Sequence, residues 1–416
     1  MKTRIFRGIG NLYDLKEVAV KKGRHVIHSD LGKVSKAAMI EQKGKIAWVG
    51  AESKIPRAIL KALKNVHEVD LEGATVVPGF IECHTHLVFA GSRAGEFERR
   101  LNGESYQSIA QSGGGILSTV SATGKAKPKD LLALSQSRVQ RFIDQGVTTI
   151  EVKSGYGLSS EGELKMLRVA KELKRARIVP TFLGAHAIPK GIGESERYLD
   201  MLINEVLPRV AKEGLSNRVD IFIEKGFFSL TEGQRYLQKA QAMGFDLVIH
   251  ADQLSRTGSG SLAAQLGARS ADHLIEINKK DINQLARSQT VAVLLPSADL
   301  YMQCRYPPAR KLIDAGACVA LATDYNPGSS PSQDLALVGV LARLEMKMKL
   351  PEVISAYTIG AATALGLEKK IGSLEKGKEC DFAVLMGDIE DLFLDVGQMP
   401  VDAVYRSGRK ISQKKM

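Results

Sequence analysis

The sequence is poor in cysteine and has no long apolar run, and each of these features excludes a class of protein. Its 416 residues include four cysteines, none of which forms a Cys-x-x-Cys pair or a disulfide-rich spacing. No apolar stretch approaches the roughly 18 residues that a membrane-spanning helix needs. Residues 1–7 lack the apolar segment of a secretory signal. We therefore expect a soluble, cytoplasmic protein with no membrane partner.

The chain also lacks the pattern of a nucleic-acid binder, although it is basic. Its 58 basic and 46 acidic residues give a net charge of +12, and a basic surface can attract nucleic acid. The basic residues are spread along predicted helices, apart from a short tail at residues 409–415, and only one tryptophan is present. We expect a solvated surface that at most attracts small anionic substrates, and no nucleic-acid partner.

Histidine is scarce as well, but its positions are informative. Five of the eight histidines close, or nearly close, an apolar run: His84, His86, His186, His250 and His273. The run that begins at Cys318 ends in the same way on Asp324. Side chains on a strand repeat every second residue, so His84 and His86 point to the same side. Two such imidazoles can hold a metal ion and leave positions open for water, as a metal-dependent hydrolase requires.

Amphipathic helix patterns separate the apolar runs. Residues 131–142 and 164–173 have apolar positions at spacings of three and four. Ser160 with Glu163 predicts a capping box at the start of the second helix. Eight strands alternate with helices between about residues 75 and 367, which is typical of a parallel sheet covered on both faces.

This alternation predicts an α/β fold, a (β/α)₈ TIM-type barrel whose active site lies at the carboxyl ends of the strands. A doubly wound open sheet is the alternative, but it would not bring the first, fifth, sixth and eighth strand ends around one point. The flanks, residues 1–73 and 368–416, contain short β-like runs, and neither has enough apolar surface for a core of its own. We predict that they pair into one small β-sandwich domain beside a catalytic barrel at residues 74–367.

Several of these segments resemble the metal-dependent amidohydrolase superfamily. The Pro-Gly-Phe and His-Thr-His elements of residues 78–86, the later His250, His273 and Asp324, and the tail at residues 372–382 carry the resemblance. More specific blocks lie at residues 89–93, 113–120, 151–157, 184–189 and 323–330. They resemble the members that hydrolyse 4-imidazolone-5-propanoate to N-formimidoyl-L-glutamate in histidine degradation, and the resemblance covers essentially the whole chain.

The resemblance implies a mononuclear zinc or iron site held by His84, His86, His250 and Asp324. Asp324 would also act as the catalytic base, and His273 would stabilise the oxyanion. Contacts to the substrate are implied for a further set of residues: Arg93, Tyr156, His186, Asn326, Gly328 and Ser329. The planar fork of Arg93 suits the carboxylate of a propionate arm.

Two departures from the superfamily pattern refine this expectation. Gln253 stands where many members have an acidic residue, and because glutamine cannot shuttle a proton we assign it to substrate hydrogen bonding. Its presence also disfavours a deaminase. Glu224 and Lys225 lie near the position where two-metal relatives carry a bridging carboxylate or modified lysine, and the sequence leaves open which side chain faces the metal.

The sequence leaves two other functions open. One is a different cyclic amidohydrolase, such as a guanine-type or hydantoin-type enzyme. The other is an inactive barrel that serves as a binding scaffold, although the complete set of candidate metal ligands argues against it.

A homodimer is the expected assembly, because dimers are the commonest state of soluble oligomers.

Overall fold

The structure is a computed structural model that describes residues 3–62, 65–104, 108–109, 112, 114–189, 191 and 193–414. Gly113 of the glycine-containing block and Lys415 of the basic tail lie outside these residues. The described strands are β1 (Thr3–Tyr13), β2 (Lys33–Gln42), β3 (Lys45–Ala51), β4 (Val66–Asp70), β5 (Thr75–Pro78), β6 (Phe80–Glu82), β7 (Val147–Lys153), β8 (Arg177–Ala185), β9 (Arg218–Ile223), β10 (Asp246–Ala251), β11 (Ser270–His273), β12 (Val291–Leu294), β13 (Val319–Leu321), β14 (Phe382–Leu385), β15 (Val401–Arg406) and β16 (Arg409–Gln413).

Helices lie between most of these strands along the chain. The described α-helices span Lys16–Val20, Arg57–Ala62, Ala94–Leu101, Ile116–Lys125, Pro128–Ile143, Ser160–Glu172, Ser195–Met201, Leu207–Lys212, Leu230–Ala242, Ser259–Leu266, Lys279–Arg287, Pro296–Met302, Ala309–Asp314, Leu335–Leu344, Leu350–Ser355 and Ala361–Ala364. Short 3₁₀ turns cover His28–Leu31, Glu52–Lys54 and Ile389–Asp391, and π-helical turns cover Leu202–Val206 and Ala356–Gly360. Within the described ranges, no helix has the length and apolar character needed to cross a bilayer.

Strands β6 to β13 form one parallel sheet in which each strand pairs with its sequence neighbours. The two edges meet just beyond the strand ends. Thr85, after β6, forms a parallel bridge with Tyr325, after β13, and the His86 amide donates to the Tyr325 carbonyl at 2.9 Å. The sheet therefore closes into a (β/α)₈ barrel, and the predicted fold class is confirmed over the open-sheet alternative.

Burial on both faces explains why the barrel strands are rich in apolar residues. All residues of β7, β9 and β12 are buried, because side chains pack inside the barrel on one face and against helices on the other. The helix Pro128–Ile143 shows the matching stripe, with Leu131, Val139 and Phe142 buried among its inward residues.

A smaller mixed sheet joins the two ends of the chain, in the order β16-β15-β14-β5-β1-β2-β3, with β4 paired to β1. The two ends meet where β5 pairs antiparallel with β14. Phe6 lies edge-on to Phe382 with ring centroids 4.9 Å apart, and Phe382 stacks on Tyr405 with ring centroids 4.5 Å apart. Both flanks therefore share one core, as predicted. β5 belongs to this sheet although it follows residue 74, and β6 begins the barrel. The division at residues 73/74 and 367/368 stays a proposal.

Candidate active site

Three histidines and one aspartate meet at the carboxyl end of the barrel. His84 and His86 follow β6, His250 lies near the end of β10, and Asp324 follows β13. The Nε2 atoms of His84 and His86 each lie 3.4 Å from Asp324 Oδ1, and His250 Nε2 lies 3.4 Å from His86 Nε2. All four side chains are buried. The structure thus brings together the four residues that the sequence pointed to as metal ligands.

Carboxylates behind two of these histidines fix how their rings face the cluster. His84 Nδ1 lies 2.6 Å from Asp272 Oδ2, and His250 Nδ1 lies 3.0 Å from Asp220 Oδ2. An N–H donated from Nδ1 leaves the Nε2 lone pair directed into the cluster, an arrangement found behind metal-bound histidines. Burial lowers the pKa of His84 and of His86 well below the ordinary value, so both rings are neutral and able to coordinate.

The cluster satisfies the chemical requirements of a metal site. Among the residues described, His84 Nε2 and Asp324 Oδ1 are buried and have no hydrogen-bond partner. Such atoms cost about 1–3 kcal/mol each when nothing compensates them. Imidazole nitrogens and a carboxylate oxygen are donors that zinc and similar transition metals accept. The residues present therefore fit a divalent metal ion.

Two of the candidate site residues have unusual backbone conformations. Asp324 has φ of +54° and His273, at the end of β11, has φ of +76°. A side chain larger than glycine in this region costs on the order of 1–3 kcal/mol, and such positions concentrate at functional sites. Burial lowers the pKa of His273 to about 3, so its ring is neutral. His273 also forms a group with His84 and His250 whose ligand atoms lie within 4.8 Å of one another.

A pocket opens directly beside this cluster. It is lined by six of the seven residues predicted to contact the substrate, together with His86, His250, His273 and Asp324. The six are Arg93, Tyr156, His186, Gln253, Asn326 and Ser329. Ile116, Phe222, Leu254 and Met302 also line it. Ile116 belongs to the family-like block at residues 113–120, whereas no pattern in the sequence had singled out the other three.

Arg93 is buried in the wall of this pocket rather than in a surface ion pair. Its Nε donates to Glu96 Oε2 at 2.7 Å, and the other oxygen of Glu96 accepts from the Gly115 amide at 2.9 Å. Gly328, the seventh predicted contact, lies flat against the guanidinium, since a Cβ there would be 1.9 Å from Arg93 Nη1. Glu96 and Gly328 therefore fix the plane of the guanidinium.

His186 and Tyr156 form the neighbouring wall. His186 stacks on His86 with ring centroids 4.9 Å apart, and Tyr156 lies 5.5 Å from His186. His186 Nδ1 is 3.1 Å from the Gly155 carbonyl, and Gly155 has φ of +112° with no room for a Cβ beside that ring. Burial lowers the pKa of His186 well below its usual range, so the neutral ring keeps one nitrogen available to the pocket.

The capping box predicted from Ser160 and Glu163 is wrong. The helix is capped by Ser159, whose Oγ accepts from the Gly162 amide at 3.2 Å. Glu163 instead turns into the preceding loop and accepts from the amides of Gly155, Gly157 and Leu158 at 2.7–2.9 Å. Because that loop carries Tyr156, the carboxylate shapes the pocket rather than the helix terminus.

The loop after Asp324 is shaped by Asn326. Its Oδ1 accepts from the amides of Gly328 and Ser329, both at 2.8 Å, and its Nδ2 donates to the Asp324 carbonyl at 2.7 Å. The side chain that was expected to contact substrate thus also holds the turn that presents Gly328 and Ser329.

Glu224 and Lys225 occupy different environments. Glu224 is buried and its Oε2 accepts from the Leu254 amide at 2.8 Å, so it anchors the loop after β10. Lys225 is exposed to solvent. In this arrangement Glu224 supports the loop that carries Gln253.

Sequence reasoning missed the charged residues beneath the histidines: Glu151, Lys153, Asp220 and Asp272, all fully or almost fully buried. Their signal was available, because each is a charged residue inside an apolar strand run. Glu96 was also missed, and it stands on a helix with no pattern that marks it.

Comparison with known proteins places the chain in a class. The model of the amidohydrolase family matches residues 75–411, and the chain belongs to that family. Solved structures of low identity share the fold. They include a guanine deaminase from E. coli, with a TM-score of 0.73 and 15% identity over 99% of this chain and 100% of that one. A zinc-bound adenosine deaminase from Xanthomonas campestris has a TM-score of 0.72 and 16% identity, covering 98% and 92% of the two chains.

Curated relatives narrow the class to one branch. The imidazolonepropionase of Bdellovibrio bacteriovorus is 51% identical over 407 residues, which cover 98% of this chain and 96% of the relative. The imidazolonepropionase of Symbiobacterium thermophilum is 43% identical over 362 residues, 86% and 85% of the two chains. Within the amidohydrolases, the chain belongs with the imidazolonepropionases, as the sequence resemblance predicted.

Proposed function

We propose that the chain hydrolyses the cyclic amide of 4-imidazolone-5-propanoate and releases N-formimidoyl-L-glutamate in histidine degradation. The observation that carries this proposal is the placement of Arg93 in the wall of the pocket that also contains the candidate metal ligands. A substrate with an anionic arm and a hydrolysable ring carbonyl matches that pairing of groups. The relatives at 43–51% identity carry the name of this activity.

One zinc or iron ion per chain would be held by the Nε2 atoms of His84, His86 and His250 and by Asp324 Oδ1. Asp324 Oδ1 lies 3.4 Å from Nε2 of His84 and from Nε2 of His86, and His250 Nε2 lies 3.4 Å from His86 Nε2. Such an ion would lower the pKa of a bound water towards about 7 and would polarise a carbonyl oxygen.

Asp324 moves the proton. In the metal-free protein, burial raises the pKa of its carboxyl above the ordinary value, against the opposing influence of His273 and His250. It takes a proton from the attacking water as the water oxygen bonds to the ring carbonyl carbon. As the bond from that carbon to the ring nitrogen breaks, Asp324 returns the proton to the nitrogen.

His273 and the pocket walls orient the reacting ring. The neutral His273 ring donates a hydrogen bond to the oxygen on which charge develops. Arg93 binds the propionate carboxylate through its guanidinium, in the plane that Glu96 and Gly328 set. Tyr156, His186 and Gln253 donate or accept hydrogen bonds at the ring, and Asn326, Gly328 and Ser329 close the carboxylate side.

The decisive test incubates metal-quantified protein with freshly prepared 4-imidazolone-5-propanoate and follows N-formimidoyl-L-glutamate by mass spectrometry. We expect product at about one metal per chain, and its loss on chelation with recovery when zinc or iron is returned. Guanine and a hydantoin propionate serve as competing substrates in parallel. Turnover of one of these, with none of the imidazolone, would overturn the assigned substrate but leave the metal site in place.

The same proposal includes a cytoplasmic location and a homodimeric assembly. Light scattering on purified protein measures the mass directly against the 45.1 kDa chain. A mass of one chain at micromolar concentration would contradict the dimer without bearing on the reaction.

A further inference from the structure

A buried cation lies directly beneath the candidate metal ligands. Lys153, at the end of β7, is 1% exposed, and its Nζ lies 2.8 Å from Glu151 Oε1 and 2.8 Å from Asp220 Oδ2. A third carboxylate, Asp272, has its Oδ2 3.8 Å from the same nitrogen. One ammonium group therefore draws together three carboxylates that come from the strands β7, β9 and β11.

Each of these carboxylates also contacts the histidines above or the backbone that carries them. Asp272 accepts from His84 and Asp220 accepts from His250. Glu151 Oε2 accepts from the Thr85 amide at 3.2 Å, and the Thr85 hydroxyl donates to the Glu151 carbonyl at 2.6 Å. His84 and His250 are therefore each connected to Lys153 through one carboxylate, and Thr85, which stands between His84 and His86, connects their shared backbone to Lys153 through Glu151.

Stability alone is a weak reason for such a group. Replacing a buried ion pair by apolar side chains of similar volume is often neutral or stabilising. Two of the carboxylates that Lys153 contacts, Asp272 and Asp220, orient histidine rings, and outer partners of this kind control metal affinity.

We propose that Lys153 is a positioning residue for the metal site, holding Glu151, Asp220 and Asp272 at the separations that direct His84, His86 and His250 towards one ion. This inference rests on the proposed metal ligands. Without the ammonium, three buried carboxylates repel one another, and the imidazoles that depend on them turn with them.

The charge state supports this role. Burial would lower the pKa of Lys153, but the carboxylates of Asp220, Glu151 and Asp272 outweigh burial and raise the pKa above its ordinary value. Lys153 therefore remains an ammonium ion throughout the neutral range.

The test compares metal binding by the full-length wild-type protein and by Lys153→Met. Metal-free protein is titrated with Zn²⁺ against a chromogenic chelator, and the visible spectrum of the Co²⁺ form is recorded. We expect the Kd of Lys153→Met to rise by about 10- to 100-fold, with a changed Co²⁺ spectrum. An unchanged Kd and spectrum in a folded variant would overturn the proposal.

Arg218 provides the matched control because it is a second buried cation in the same barrel. It lies at the opposite end, on the first residue of β9, with its Nε 3.3 Å from Thr181 Oγ1. Arg218→Met should lower stability and leave the Zn²⁺ affinity and Co²⁺ spectrum as in wild type. If Arg218→Met lost as much Zn²⁺ affinity as Lys153→Met, the loss would reflect a general destabilisation of the barrel, and the proposal would be overturned.

A compensated variant guards against misfolding. In Lys153→Met/Glu151→Gln one negative charge leaves with the cation, so the electrostatic penalty on the fold is smaller. A folded double variant with weakened Zn²⁺ binding supports the proposal, and one with native affinity overturns it. If neither Lys153→Met nor the double variant folds while Arg218→Met does, Lys153 is required for folding. That result would overturn a role specific to the metal site. A wild-type protein that binds no Zn²⁺ would instead defeat the proposed ligands themselves.

Discussion

The two ends of the barrel satisfy their polar groups in different ways. At the carboxyl end, Asp324 and His273 have left-handed backbone conformations, and His84 Nε2 lacks a hydrogen-bond partner among the residues described. At the amino end, the Arg24 guanidinium donates to the carbonyls of Ala286, Gly316 and Ser288 at 2.6–2.8 Å. Arg177 pairs there with Asp381 at 3.0 Å and with Glu379.

This difference separates binding from stability within one fold. At the carboxyl end, the polar groups without a protein partner are ones that a ligand can use. At the amino end, the contacts of Arg24 and Arg177 join the barrel to the flanking segments of the chain. Substitutions at the carboxyl end should therefore lower activity more than stability. Substitutions at the amino end should lower stability and leave activity unchanged.

Asp324→Asn gives the largest expected effect. The amide cannot accept and return the proton, so turnover should fall by about 10³-fold or more, as measured by product formation at saturating substrate. The free energy of unfolding of the metal-free protein should stay the same or rise, because a buried carboxylate is removed. Near-normal turnover by this variant at full metal content would contradict the base role of Asp324.

Arg93→Ala should be the next most damaging change. Loss of charged hydrogen bonds worth about 1.5–3 kcal/mol lowers kcat/KM by about 10- to 100-fold, with KM rising more than kcat falls. Arg99→Ala is the control, since Arg99 lies on the helix that begins directly after Arg93 and forms an exposed pair with Glu104. A substrate analogue without the carboxylate should react equally with wild type and Arg93→Ala; a retained difference would place the contact elsewhere on the substrate.

The carboxyl end also shows how far the sequence alone reaches. The position of each residue relative to a strand end depends on local pattern, so His84, His250 and Asp324 could be predicted to converge. Contacts between strands depend on the closure and register of the barrel. Lys153 with Asp220, and Glu163 with the loop of Tyr156, could not be inferred from spacing. A charged residue within an apolar strand run, such as Asp272, is the signal that would have marked this buried network.

Arg177→Met probes the amino end. Losing the contacts to Asp381 and Glu379 should lower the free energy of unfolding by about 2 kcal/mol, measured by urea denaturation of the metal-free protein. Turnover per folded chain should remain at the wild-type level. A drop in kcat without a change in stability would show that the two ends are not independent.

Gly328→Ala tests the wall of the pocket with a single methyl group. A Cβ at 1.9 Å from Arg93 Nη1 must displace the guanidinium, and such overpacking costs about 1–3 kcal/mol. We expect kcat/KM to fall by about tenfold, with little further loss when Arg93 is already alanine. Gly124→Ala is the matched control, because nothing lies within 4 Å of its Cβ position. Additive losses in the double variant would contradict an effect through Arg93.

Asp30→Asn should give the smallest effect, and one that depends on pH. Asp30 lies on the segment that continues from Arg24, where its Oδ2 accepts from Lys21 Nζ at 2.7 Å and from the Ile27 amide at 2.8 Å. Burial would raise the pKa of Asp30, but these two donors outweigh burial and lower the pKa below its ordinary value.

The contribution of the ionised Asp30 to the free energy of unfolding is therefore fully present above the unfolded-state pKa of about 4. It is lost as the pH falls through the lower folded-state pKa. Urea unfolding at pH 7 should show Asp30→Asn to be less stable by about 0.5–1 kcal/mol, and the difference should shrink as the pH falls below about 4. A difference that persists at low pH would mean that the amide disturbs packing at the amino end, rather than removing a charge.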